Sequence, residues 1–214
     1  MQLATENYLT QVNNLPTSGN HILAQFDENS VVVYQAYKPK IGNFAVSKGY
    51  FGGEFSLSRM SWIKTNFLWM MYRSGWGSKI GQEVILAVTI KRTAFDEILA
   101  KAVHSHFIPG IYKTQEEWKE AVKRSSVRLQ WDPDHNPMGQ KLERRAIQLG
   151  MRGKILRNYS QDWIVKIEDI TEFVQQQRGY REANYWNKLI TPKENVYPVE
   201  NYEIIEKLGL SIPN

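Results

Sequence analysis

Cysteine is absent from the 214 residues, and that omission removes disulfides, thiolate zinc sites, iron–sulfur ligation and cysteine nucleophiles together. No stretch approaches the roughly 20 consecutive apolar residues that a bilayer-spanning helix needs. Residues 1–16 lack a basic start followed by an apolar block, so a cytoplasmic protein without a membrane partner is the expectation. Histidine is scarce: His21, His104, His106 and His135 are all there are, and no H-E-x-x-H joins them. His104 and His106 are better read as helix-end residues beside terminal carbonyls than as metal ligands. No metal site is expected. A G-x-S-x-G elbow is missing, and no G-x-G-x-x-G follows a strand. The loop Gly75–Gly81 has Ile80 and Gly81 where a Walker loop needs Gly and Lys.

What is present is a foldable chain with a cationic surplus. Hydrophobic residues make up 42% and aromatic residues 12%, enough for one domain with a packed core. The net charge of +5 favours anionic partners through long-range attraction. Arg144, Arg145, Arg152, Lys154 and Arg157 cluster around one strand and its following turn, as phosphate contacts or as a solvated face.

Helical and strand patterns interleave without internal repeats. Residues 1–15 read as a short helix closed by Pro16, and 22–26 and 31–37 as strands joined by the turn Asp27–Ser30. Pro39 and Gly49 bracket a helix over 39–48. Residues 62–64 look extended, Thr65 can cap a helix to Tyr72 or Arg73, and Gly75 supplies a left-handed exit. Residues 83–91 read as a central strand, followed by a helix capped by Thr93 and reaching about His104. Thr114–Glu117 is a capping box, and 127–131 a strand ended by Asp132-Pro133. Strands over 142–151 and 163–167 and a helix over 170–177 complete the body. The predicted fold class is α+β: a single domain over 1–179 with a twisted, partly antiparallel sheet of about six or seven strands, flanked by short helices. Residues 180–214 form a C-terminal extension packing on it.

Arg59–Lys79 mixes aromatic and cationic residues more densely than packing requires. Trp62, Trp69 and Trp76 recur seven apart, so a helix through them would share one face near Arg59, Lys64 and Arg73. The plainer reading of Phe67–Met71 is a core-filling helix. Arg128, Gln130 and Asp132 alternate on a strand as a polar stripe, which points to a crevice or to an exposed sheet face.

Val31–Tyr37, Arg59–Gly77, Val127–Pro133 and Arg145–Gly150 together resemble the family called domain of unknown function 4291, over about Ile22 to Phe173. That resemblance implies a coherent domain and no particular chemistry. A weaker likeness, in the order of elements, is to the ADP-ribosyltransferases, in which a split sheet clamps NAD. It implies Tyr34, Gln35 and Tyr37 beside the nicotinamide and its ribose, Trp62 or Ser61 stacked on the ring, and Arg59 or Lys64 on the pyrophosphate. Arg73 and Arg145 join the cofactor-binding set. The glutamate such enzymes place on a late strand is not evident, so Gln130, Asp132 or Glu143 must serve; Gln35, Gln130 and Asp132 are the catalytic candidates. The function this implies is NAD-dependent transfer to a nucleic-acid or protein acceptor. The alternative is a non-catalytic module for RNA or single-stranded nucleic acid, stacking on Trp62, Trp69 or Trp76 with Arg73, Arg128, Arg144 and Arg145 on the backbone. Both require polar residues from distant strands to meet in one hollow.

Overall fold

The β-branched run before Tyr34 is apolar on both faces, and such a run is stable only where a sheet is covered on both sides. The computed structural model describes residues 1–211. In chain order it begins with β1 (Thr5–Asn7), α1 (Tyr8–Val12), β2 (Gly19–Asn20), β3 (Leu23–Ala24), β4 (Ser30–Tyr37), α2 (Pro39–Lys48) and β5 (Ser61–Lys64). Next come α3 (Phe67–Ser74), β6 (Val84–Lys91), α4 (Arg92–Lys101), β7 (Ala102–His104), α5 (Gln115–Arg124), β8 (Val127–His135) and β9 (Lys141–Met151). Then follow α6 (Gly153–Gln161), β10 (Ile164–Asp169), α7 (Thr171–Arg178), β11 (Ile190–Pro192), β12 (Asn195–Val196) and α8 (Tyr202–Leu208).

The main sheet runs β10-β6-β4-β5-β9-β8-β7, with β2 also beside β9. Its pairings are antiparallel except β7 with β8 and β2 with β9. The fold is α+β with a mixed, partly antiparallel sheet, as the sequence predicts. Side-chain alternation on β4 divides the interior: Val31 and Val33 enter a core shared with α2, α4, α6 and α8, while Val32 and Tyr34 enter one built with α1, α3 and α7. No helix among the described residues is long and apolar enough to cross a membrane.

Several sequence expectations need correction. Residues 1–15 are not one helix, since β1 precedes the short α1 and pairs with β11. Trp62, Trp69 and Trp76 share no helical face: Trp62 is on β5, Trp69 on α3, and Trp76 lies beyond the left-handed Gly75. Asn66, not Thr65, caps α3, its Oδ1 accepting from the Trp69 amide at 2.7 Å. Thr93 lies inside α4, which ends at Lys101 and hands over to β7. Pro133 does not stop β8. β7 covers that strand only to Leu129, so Pro133 stands on an open edge beside a register shift, where proline is tolerated. The charged run after Met151 is a helix, α6, whose Ile155, Leu156 and Tyr159 are buried.

The C-terminal segment anchors α3. Glu194 Oε1 accepts the Phe67 amide at 2.6 Å, and its Oε2 accepts the Asn66 side-chain amide at 3.2 Å. Nearby, Arg144 and Asp134 form a buried ion pair at 2.5 Å, and Arg144 also donates to the Pro16 carbonyl at 3.2 Å.

Burial raises the Glu194 carboxyl well above its ordinary 4.5, with Asp134 adding to the shift against the Phe67 hydrogen bond. The folded chain therefore keeps a proton that the unfolded chain releases, so this group's contribution is full below about 4.5 and declines as pH rises. Glu194→Gln retains an acceptor for the Phe67 amide and cannot ionise. Thermal melts from pH 5 to 8 should show wild type losing stability relative to the variant as pH rises; a constant difference would contradict the assignment.

Candidate functional site

β4 pairs with β6 along all of Ser30–Tyr37, yet it meets β5 through one pair, Tyr34 with Lys64. Continuing that register would set Ala36 against Trp62; instead the strands part and the Gln35 side chain spans the gap. Its Nε2 lies 3.0 Å from the Trp62 carbonyl, 3.0 Å from Ser61 Oγ and 2.8 Å from the Tyr37 hydroxyl, three acceptors shared by two N–H groups. Its Oε1 accepts from the Tyr159 hydroxyl at 2.6 Å, and the Tyr37 and Ser61 oxygens are 2.8 Å apart. Burial raises both phenols, so this bridge stays neutral.

The parting opens a cleft of about 520 Å³. β4 contributes Gln35 to Tyr37, β5 contributes Trp62 and Lys64, α3 contributes Met70 and Arg73, and the loop before β5 contributes Arg59 and Met60. The half-buried Trp62 ring lies over Gly150 of β9, where an added Cβ would come within 2.8 Å of the indole. Glycine is what allows that approach.

Four cations line this cleft: Lys38 is engaged with Glu54, whereas among the described residues none of Arg59, Lys64 and Arg73 pairs with a carboxylate. Glu54, on the rim, is engaged by Lys38 and by Lys40 at 3.3 Å, which hold its carboxyl below the usual range. Lys64 is only 8% exposed, with its Nζ 5.4 Å from the centroid of the Trp69 ring. Burial, helped by the charge of Arg73 and opposed by Asp132, lowers this ammonium from 10.5 to about 8.

Behind the cleft, Tyr34, Lys64, Gln148 and Gln130 are successive cross-strand partners on β4, β5, β9 and β8. Asp132 adjoins this polar row. Its Oδ1 accepts from Gln130 at 3.0 Å and its Oδ2 from Gln148 at 2.7 Å. Burial raises its carboxyl despite those bonds and the attraction of Lys64 and His135.

Of the sequence candidates, Gln35, Tyr37, Arg59, Trp62, Lys64 and Arg73 meet at the cleft. Gln130 and Asp132 lie along the row behind it rather than in its lining. Tyr34 does not reach it: the ring is buried beneath α3, its centroid 5.6 Å from that of Phe67. Arg145 is also misplaced, since alternation on β9 buries Arg144 and leaves Arg145 exposed opposite Asn20 of β2. Glu143 is likewise exposed and outside the cleft. Gln35 sits in the cleft wall but not as an acid–base group, because both ends of its amide are committed to protein partners.

The stacking surface shrinks as well. Trp69 and Trp76 are buried, the latter donating to the Pro137 carbonyl at 3.3 Å. Arg128 is spent on the carbonyls of Ser125, at 3.3 Å, and Val122, while Arg144 is held by Asp134. His104 is buried on β7 with Nδ1 3.2 Å from the Tyr112 hydroxyl. Sequence reasoning passed over Gln148, Gly150 and Tyr159; a lone polar residue in the otherwise apolar stretch from Ala146 to Met151 was the available signal for the first.

Gln35→Ala would strip partners from the Tyr159 hydroxyl and the Trp62 carbonyl inside the fold. Denaturant unfolding should show a loss of about 2–4 kcal/mol. A loss below about 1 kcal/mol would mean the bridge does not hold the strands apart.

Comparison with curated proteins finds no match. Residues 21–197 match the family described as a domain of unknown function, DUF4291, and the chain belongs to that family.

Proposed function

We propose that the protein binds a phosphate-bearing nucleotide where β4 and β5 part and uses it as the donor in group transfer, with NAD as donor and a nucleic acid or protein as acceptor. The observation that carries this reading is the convergence of Arg59, Lys64 and Arg73, all without carboxylate partners, on a cleft edged by the half-buried Trp62 ring. A phosphate entering such a site gains charge-assisted hydrogen bonds without displacing an existing ion pair. The likeness to ADP-ribosyltransferases rests on the order of elements and on the parting of two central strands.

The transfer step needs a carboxylate. Breaking the nicotinamide–ribose bond generates an oxocarbenium-like centre that a negative group near the ribose hydroxyls stabilises. Glu54 is neutralised by two lysines, whereas Asp132 is oriented by two glutamines and its charge reaches Lys64. Asp132, behind the lining rather than in it, is therefore the carboxylate whose charge the reading assigns to the step. A single-stranded nucleic-acid module would need successive exposed rings, and burial of Trp69 and Trp76 leaves it Trp62 alone of the three.

Calorimetric titration with NAD and ADP tests the cleft. Binding should occur at one site, and Arg59→Ala and Arg73→Ala should each weaken it about tenfold. Affinity indifferent to both changes would overturn the reading. Asp132→Asn should lower NAD turnover by orders of magnitude in a chain that still folds, and unaltered turnover would remove Asp132 from the mechanism.

A further inference from the structure

We propose that Lys64 is a reactive amine that captures the carbonyl group of a phosphorylated aldehyde or ketone as a Schiff base. The inference rests on the cleft reading above for its phosphate and on the surroundings of Lys64 for its chemistry. A lysine in the middle of a sheet ordinarily reaches a carboxylate or carries its charge to water. Lys64 reaches no carboxylate and meets water only through the cleft it lines: it closes β5 with 8% exposure, and among the described residues its Nζ has no hydrogen-bond acceptor and no ion-pair partner.

The groups facing it come from each neighbouring element. β4 presents Tyr34 directly opposite, with a hydroxyl that itself has no partner, and β9 presents the amide of Gln148. α3 presents the Trp69 ring and Arg73, and β8 supplies Asp132, the one carboxylate whose charge opposes the effect of burial. Loss of a proton near pH 8 leaves a neutral amine in a seat largely shielded from water, the condition under which a lysine becomes nucleophilic. The seat opens into the same cleft as Arg59 and Arg73, so a phosphate held by those guanidiniums would bring a carbonyl on the same molecule towards Nζ. The Nζ lone pair forms the C–N bond, the carbonyl oxygen leaves as water after taking up the amine protons, and a C=N bond remains. No oxidant or reductant is consumed.

Reductive trapping tests this on the full chain. Pyridoxal 5′-phosphate and pyridoxal serve as probes, borohydride fixes any imine as a secondary amine, and peptide mass mapping locates it. Pyridoxal 5′-phosphate should modify Lys64 ahead of exposed lysines such as Lys40 and Lys79, with a rate rising to half its maximum near pH 8. Pyridoxal should modify the same residue about tenfold more slowly, the factor expected from losing one charge-assisted contact. Equal rates of the two probes at Lys64 would sustain the reactive amine while removing the phosphate cradle. Modification spread over the exposed lysines with Lys64 untouched would overturn the proposal.

Discussion

The architecture turns on one interrupted ladder. β4 and β5 share a single backbone pair at Tyr34 and Lys64, and beyond it the polar backbone of β5 is satisfied by a side chain instead of by the neighbouring strand. An open seam in a central sheet is costly unless every exposed donor and acceptor finds a partner. Gln35 meets that demand for the Trp62 carbonyl while tying Ser61, Tyr37 and Tyr159 into one neutral bridge. The cleft with Arg59, Trp62, Lys64 and Arg73 lies where the two strands part.

Electrostatics then divides the interior into settled and unsettled charge. Arg144 and Asp134 neutralise each other in the core beneath α3, and Glu194, the carboxyl that burial raises, holds the start of that helix. Arg128 and Arg152 are occupied by backbone carbonyls near the end of α5. The cleft is different: Arg59, Lys64 and Arg73 have no carboxylate partner there, and burial, helped by Arg73, depresses Lys64. Unbalanced positive charge beside a half-buried ring is an arrangement that a bound anion would complete.

Local chemistry made part of this legible in the sequence. Pro39 and Gly49 bound α2 because each fits only one end of a helix, and Thr114 caps α5 through its hydroxyl. β4 and β6 were readable because double-sided burial demands unbroken apolar runs. The tryptophan spacing misled, since a seven-residue interval marks a shared face only if one helix continues, and the chain switches from strand to helix at Asn66 and leaves the helix at Gly75. Tyr34 was misread because its neighbour Gln35 carries the bridge while Tyr34 fills the other core. Arg145 failed by one step of β alternation. The anchoring of α3 by Glu194 could not be seen at all, because partners 127 positions apart leave no local pattern.

A crystal structure of the protein grown with ADP is the most direct measurement of the central claim. The account predicts density for the phosphates among Arg59, Lys64 and Arg73, with the base or ribose against Trp62 and the Gln35 bridge intact. An ADP molecule bound elsewhere with this cleft unaltered, or a cleft closed by β4 and β5 zipping together, would contradict it.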